Sequence, residues 1–196
     1  MVLQVAIQMD PLETVNVASD STFVLALEAQ ARGHALFHYL PRDLALTDGK
    51  LTARGQPLKV RREVPHFELG APRALDLSGI DVVLMRQDPP FDMAYVTATH
   101  LLEHVSKKAL VVNDPAAVRN APEKLFATHF VGLMPPTLIS SDPETIAEFR
   151  HRHGDIILKP IFGNGGAGVF HLKPDDDNLN ALLEMFTRLS REPVIV

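Results

Sequence analysis

The chain is expected to fold as an α/β protein, on three counts. Short apolar runs of strand length alternate with segments of helical periodicity along its whole length. Up to about residue 112 the alternation reads strand–helix–strand, as it does around a parallel sheet. Near Asn113–Pro122 the pattern changes, and 196 residues suffice for one large or two small cores. A boundary is therefore placed close to residue 120, with domains at 1–120 and 121–196.

Leu3–Gln8 is an apolar-rich run and makes the first strand. Ser19 or Asp20 can cap a helix over Ser21–Arg32, with Phe23, Leu27 and Ala31 on one face and Gly33 as the stop. Ala35–Tyr39 returns as a strand. Residues 44–54 carry Asp48-Gly49 between two β-prone runs, the signature of a two-residue hairpin. Residues 55–73 hold three prolines and mixed charges and read as an irregular excursion. Val82–Met85 is a buried strand, Met93–Lys107 a helix and Leu110–Val112 a strand. Beyond the boundary come a helix over Glu123–Phe130, the pair Pro135-Pro136 and a strand at Thr137–Ile139. The next helix has Asp142 as cap, Pro143 at its first position and Gly154 as its stop. Strands at 156–160 and 169–172 flank a glycine loop, and a helix over Asn178–Ser190 and a strand at Val194–Val196 complete the series.

Composition narrows the function classes. The net charge of −5 gives no nucleic-acid footprint. No cysteine is present, so disulfides, thiolate zinc sites and thiol nucleophiles are all excluded for these residues, which fits a reducing compartment. Val2–Met9 has no basic flank and runs into Asp10-Pro11, so it reads as a strand and not as a signal peptide. No apolar run reaches membrane-spanning length. The expectation is a cytoplasmic protein without membrane or nucleic-acid partners.

The most telling stretch is Ile156-Ile-Leu-Lys-Pro160 followed by Gly163-Asn-Gly-Gly-Ala-Gly168. Four glycines in six residues leave backbone N–H groups unscreened for a polyphosphate, and Lys159 puts a cation beside them. Three familiar glycine motifs compete for these residues, and each fails. The dinucleotide spacing needs a helix directly after the loop, but Val169–Leu172 is β-prone and Pro174 follows. The phosphate loop ending in Gly-Lys-Ser/Thr has Val169 and Phe170 at its key places. A kinase loop carries its lysine on the strand after the glycines, not before. A flexible turn next to a salt-bridged lysine is the alternative to a nucleotide site.

A second constellation lies just past an apolar strand, at Arg86-Gln-Asp88-Pro-Pro-Phe-Asp92, where open α/β sheets bind ligands. Pro89-Pro90 favours an extended backbone. An arginine fork suits a carboxylate and an aspartate suits an ammonium, so Arg86 and Asp88 together could grip an amino-acid-like or peptide substrate. A structural Arg–Asp pair in a rigid turn is the other reading. Asp10, at the end of the first strand, follows the same positional logic, although aspartates after strands also serve as helix caps.

The order strand with lysine, glycine loop, strand resembles the first half of the ATP-grasp site of the prokaryotic glutathione synthetase family. The resemblance extends through Met9-Asp-Pro11, Asp20-Ser-Thr-Phe23 with Leu27-Glu-Ala-Gln30, Leu84-Met-Arg-Gln-Asp-Pro-Pro-Phe-Asp92, Val112-Asn-Asp-Pro115 and Glu123-Lys-Leu-Phe126. These blocks follow the family's order and cover essentially all of the chain, with the block around Arg86 the most specific. The resemblance implies an N-terminal parallel-sheet domain (pre-ATP-grasp, Rossmann-like) at 1–120, followed by an incomplete ATP-grasp domain at 121–196.

It also implies roles. Lys124, which by itself would read as a solvated helix lysine, becomes with Lys159 one of two nucleotide-contacting lysines. Gly163, Asn164, Gly165, Gly166, Ala167 and Gly168 become the ATP loop, and Arg86, Asp88 and Asp10 the substrate side. The implied substrates are ATP, γ-glutamylcysteine and glycine, with Mg2+ accompanying the nucleotide. The family's adenine hinge, magnesium ligands and catalytic arginine are expected beyond Val196. These residues are therefore expected to be a fragment, inactive alone, of a protein that is homo-oligomeric at full length. Another ATP-grasp carboxylate–amine ligase and a non-catalytic nucleotide-binding module are the competing readings.

Three polar clusters are expected to be structural. His100-Leu-Leu-Glu103-His104 fits a five-residue zinc-peptidase pattern but lacks a third ligand in supporting context, so it reads as a solvated helix face. His151-Arg-His153 sits at a helix C-terminus, where positive charge matches the dipole. Asp175-Asp-Asp177 precedes a helix and supplies the opposite match and a cap.

Overall fold

The computed structural model describes residues 1–163, 165–189 and 191–196. The chain is a mixed α/β protein in two compact units, Met1–Asn120 and Ala121–Val196.

In the first unit β1 (Gln4–Gln8), α1 (Ser21–Ala31), β2 (Ala35–Tyr39), β3 (Leu44–Thr47), β4 (Lys50–Val60), β5 (Phe67–Leu69), β6 (Arg73–Asp76), β7 (Val82–Met85), α2 (Met93–Glu103), β8 (Leu110–Val112) and α3 (Pro115–Asn120) follow one another. The sheet runs β3-β4-β2-β1-β7-β8, with β5 and β6 also pairing to β4. β2, β1, β7 and β8 are parallel, whereas β3 to β6 join antiparallel. Strand alternation splits the core in two. Val5, Ile7 and Met9 pack with Phe23 and Ala26 of α1, while Ala6 faces Val83, Met85 and Leu102 on the other side.

Asp20 caps α1 by accepting from the Phe23 amide at 2.7 Å. The Asp48-Gly49 hairpin is as expected: φ is 50° and 77° at the two residues, the pair of left-handed conformations that a tight hairpin turn requires. The irregular excursion over 55–73 is not. β4 continues through Pro57 to Val60, and two further strands follow it. Its inward-facing residues change phase between Gly55 and Leu58, which hides the alternation from a period-two reading. The first half of β4 pairs with β3 and β6, and the second half with β2 and β5.

α2 ends at Glu103, four residues short of the expected Lys107, and closes through turns. α3 was not expected. Its start is nonetheless well signalled, because Asp114 accepts from the Ala117 amide at 2.7 Å and Pro115 takes the first helical position.

The second unit holds α4 (Glu123–Phe126), β9 (Ile139–Ser140), α5 (Pro143–His153), β10 (Ile156–Pro160), β11 (Phe170–Leu172), α6 (Leu179–Leu189) and β12 (Val194–Ile195). Its antiparallel sheet runs β11-β10-β12-β9. The helix expected over Glu123–Phe130 stops at Phe126 and passes into 3-10 turns, because Phe130 leaves helical backbone geometry at φ −116° and ψ 50°. The expected strand at Thr137–Ile139 lies slightly later, and Leu138 and Val196 exchange backbone hydrogen bonds beside it. α5 starts at the Asp142 cap and stops at Gly154, whose φ is 76°. Ile146 of α5 and Leu179, Leu183 and Phe186 of α6 cover Ile156 and Leu158 of β10. By the same alternation, Ile157 and Lys159 belong to the opposite face of that sheet.

Candidate functional site

In the first unit the chain leaves β1 toward β2 on one side, and β7 and β8 are added later on the other. The loops following β1 and β7 therefore diverge at a topological switch point, the place where open parallel sheets accept ligands. Asp10 stands in the first loop, Arg86 and Asp88 in the second. The structure brings them together: the Asp88 amide donates to Asp10 Oδ2 at 2.7 Å, and the Arg86 amide donates to the Gln8 carbonyl at 2.7 Å. Arg86 is not paired with Asp88 in a structural ion pair. Its Nε donates to Thr22 Oγ1 at 3.0 Å and its Nη2 to Ser21 Oγ at 2.8 Å. Two neutral hydroxyls at the start of α1 thus aim the guanidinium without neutralising it.

Between these residues Gln87 points inward. It is 8% exposed, and its Oε1 accepts from Nε2 of Gln8, which is fully buried. Inward Gln87 puts its neighbours Arg86 and Asp88 on the outer side, as period-two geometry requires. The segment ends at Asp92, which caps α2 by accepting from the Tyr95 amide at 2.9 Å. The Tyr95 ring lies 5.2 Å from that of Phe91, and burial raises the pKa of its phenol. A cavity of about 470 Å³ opens beside Asp10, lined by Leu40, Arg42, Met93, Thr97 and Leu101. His38 approaches the same loop, its Nε2 lying 3.3 Å from the Asp10 carbonyl, and burial lowers its pKa.

In the second unit Lys124 is drawn to the glycine loop, contrary to a solvated-lysine reading. Its Nζ donates to the carbonyls of Pro160 at 2.8 Å and Gly163 at 3.0 Å, bridging the end of β10 and the first glycine. Burial lowers the Lys124 pKa; Glu123 opposes that shift and the charge of Lys159 adds to it. Lys124 thus reaches the backbone of Pro160, the residue next to Lys159. Gly163, Gly165, Gly166 and Gly168 all have φ between 64° and 129°, so the backbone itself demands glycine there. At Gly168 a Cβ would also come within 3.2 Å of the Pro160 ring. Ala167 sits among these glycines, whereas Asn164 lies outside the described residues. Lys159 lines a cavity of about 450 Å³ with Ile157, Pro136, Phe149, His153 and Val196.

The polar clusters expected to be structural are accounted for locally. Glu103 pairs with Arg119 of α3 at 2.8 Å, and Arg119 also donates to Thr99 Oγ1 at 3.1 Å. His153 packs against Phe149, with ring centroids 4.4 Å apart. Asp176 accepts from the Asn178 amide at 2.9 Å, and its carbonyl receives Arg150 at 2.7 Å. Among the described residues no group of three or more His, Asp or Glu side chains is placed to hold a metal ion. No helix there is long and apolar enough to cross a membrane.

Sequence reasoning missed Ser21, Thr22, Gln8 and Gln87. The signal for the first two was a pair of hydroxyls directly after a capping aspartate.

Two family models match in order. The prokaryotic glutathione synthetase N-terminal domain covers residues 3–119, and the prokaryotic glutathione synthetase ATP-grasp domain covers residues 123–196. Glutathione synthetases of Brucella melitensis and Mesorhizobium japonicum are each 58% identical to the chain over its full length, and that of Shewanella oneidensis is 41% identical over 97% of it. The chain spans 61–63% of the length of these relatives. Among solved structures, a RimK domain ATP-grasp protein of Sphaerobacter thermophilus superposes over 98% of the chain and 62% of its own, with a TM-score of 0.63 and 22% identity. D-alanyl-alanine synthetase A of Vibrio cholerae superposes over 100% of the chain and 60% of its own, with a TM-score of 0.61 and 11% identity. At these identities the structural likeness speaks for the fold alone.

Proposed function

The chain belongs to the prokaryotic glutathione synthetase family, and we propose on that footing that its gene product ligates γ-glutamylcysteine to glycine at the expense of ATP. In this reading residues 1–120 receive the peptide at the switch point, through Arg86, Asp88 and Asp10. Residues 121–196 contribute Lys124, Lys159 and the glycine loop, with Asn164 included, to the nucleotide. A carboxylate oxygen of the peptide attacks the γ-phosphorus of ATP, and the bond to the bridging oxygen breaks to release ADP. The glycine nitrogen then attacks the acyl phosphate carbon, phosphate leaves, and the nitrogen loses a proton to give the amide.

The residues present suit that chemistry. A polyanionic nucleotide must lie close to a carboxylate, and two lysines with a row of unscreened N–H groups offset the repulsion. Lys124 rests on the carbonyls of Pro160 and Gly163, which puts its cation at the first glycine of the loop, just past Lys159 and Pro160 in sequence, where a phosphate would be offset. Arg86, held by hydroxyls, keeps its charge for a substrate carboxylate. Mg2+ accompanying ATP would screen further phosphate charge. The described residues offer no donor cluster for it. A cytoplasmic setting and a homo-oligomeric assembly belong to the same reading.

The observation that weighs most is the ordered match of both domain models, with Lys124, Lys159 and the loop inside the second. The test is to assay the purified intact gene product with ATP, γ-glutamylcysteine and glycine. Glutathione and ADP should form one for one, and neither should accumulate when a substrate is left out. ADP formation with a different amino-acid acceptor, and no glutathione, would point to another ligase of the same superfamily.

A further inference from the structure

We propose that Gln8 and Gln87 are positioning residues for the peptide: their buried amide pair sets the directions in which Arg86 and Asp88 are presented. This rests on the reading of the switch point as the peptide site.

Three consecutive residues of the loop after β7 are tied to β1 or to the loop that follows it. The Arg86 amide donates to the Gln8 carbonyl at 2.7 Å, Gln87 Oε1 accepts from Gln8 Nε2, and the Asp88 amide donates to Asp10 Oδ2 at 2.7 Å. The first and last of these use backbone amides, which any residue but proline would supply at 86 or 88. Only the middle contact depends on a side chain of this loop. Gln8 is in register with Met85, and Ala6 and Met85 belong to the core that includes Leu102 of α2. By alternation Gln8 and Gln87 face that same side. Arg86 faces the other way, toward Ser21 and Thr22 at the start of α1. The pair therefore holds the loop from the side opposite to the guanidinium.

The pair is also a poor stabiliser. Both side chains are buried, and Gln8 Oε1 has no hydrogen-bond partner among the described residues. Burying two amides for one bond, with an acceptor left unmet, yields little net stability, and two apolar side chains of similar size would fill the space without that penalty. What they would not supply is direction. An amide pair holds one arrangement, whereas an apolar contact tolerates rotation of the segment. Departures from full polar pairing gather at functional sites, and this one lies between the two residues assigned to the substrate.

The test compares wild type, Gln87→Leu and the double variant Gln8→Leu with Gln87→Leu in the intact gene product. Calorimetry with γ-glutamylcysteine gives peptide affinity, steady-state assays give KM for peptide and for ATP, and urea titration gives stability. Gln87→Leu strands the Gln8 amide and should lower the urea midpoint, which the double variant should restore to the wild-type value or above. Both variants should bind the peptide about tenfold more weakly, with a matching rise in the peptide KM and an unchanged ATP KM. The double variant leaves no side-chain amide unpaired, so the comparison stands even where Gln87→Leu folds poorly. Wild-type peptide affinity in the double variant would overturn the proposal, because binding would then follow stability and the pair would be packing alone. An equal loss of ATP affinity would overturn it too. A wild-type protein that does not bind the peptide would instead overturn the substrate reading of the switch point.

Discussion

The amide of Asp88 donates to the carboxylate of Asp10 across 2.7 Å, and the two residues stand 78 positions apart at the ends of adjacent parallel strands. This bond ties the loop after β1 to the loop after β7. It also means that Asp10 has a structural duty besides any contact with substrate, and the two can be separated by choice of side chain.

Asp10→Ala removes the acceptor, whereas Asp10→Asn keeps a carbonyl oxygen in place. Asp10→Ala should lower the unfolding free energy by about 1–2 kcal/mol in urea titration, with Asp10→Asn restoring most of that loss. If Asp10 also meets a substrate ammonium, Asp10→Asn should still raise the peptide KM despite restored stability. A peptide KM unchanged in Asp10→Asn would leave Asp10 with the structural duty only.

Arg86 depends on hydroxyls contributed by α1. The double change Ser21→Ala with Thr22→Val should leave the guanidinium charged but unaimed. The expected result is a rise of about tenfold in the peptide KM, with the ATP KM and the thermal midpoint nearly unchanged. Arg86→Ala should do more, costing about 2–4 kcal/mol in kcat/KM for the peptide. An ATP KM that moves in either variant would assign Arg86 to the nucleotide instead.

Lys124 should matter to the nucleotide and not to the peptide. Lys124→Met preserves the length of the chain but withdraws two hydrogen bonds from the loop carbonyls and one cation from the phosphates. Nucleotide affinity, read by calorimetry on the intact gene product, should fall about tenfold to a hundredfold while peptide affinity holds. Unchanged nucleotide affinity would make Lys124 a brace for the loop and nothing more.

His38 sets a pH dependence whose sign follows from burial. Its folded pKa lies below the ordinary 6.5, because burial disfavours the charged ring more than Asp10, Asp43 and Glu13 favour it. The unfolded chain therefore binds more protons at this group, and stability from the neutral buried ring is present above about pH 6.5. It is lost as pH falls below that value toward the lowered folded pKa. Urea titrations between pH 7.5 and 5.5 should show a loss in the wild type that is shallower in His38→Gln. Parallel slopes in the two proteins would show that other groups govern the acid limb.

The parts of the fold legible in the sequence were those whose periodicity and punctuation agree. Asp20 with Gly33, Asp48 with Gly49, and Asp142 with Gly154 bracket elements found where they were expected. The unread parts have specific causes. Pro57 interrupts a strand that continues regardless, because β4 finds partners on both edges and shifts phase midway. Phe126 and Phe130 are both exposed and pack edge to face 5.7 Å apart, so their spacing mimics a longer helix than the backbone makes. At the site, a rule about strand ends was enough to select Arg86, Asp88 and Asp10. The hydroxyls that aim Arg86 lie 64 and 65 positions away, beyond any local pattern.

The buried pair Gln8 and Gln87 bears on how this segment can change over time. A one-residue insertion or deletion between β7 and the 86–92 loop would exchange inward and outward positions, pressing the charge of Arg86 or Asp88 into the slot now filled by a neutral amide. An unpaired charge there costs far more than any single replacement on the outer side. The spacing between the strand and the loop is thus locked by packing, independently of any substrate contact made by Arg86 or Asp88. Related chains should keep this segment at constant length.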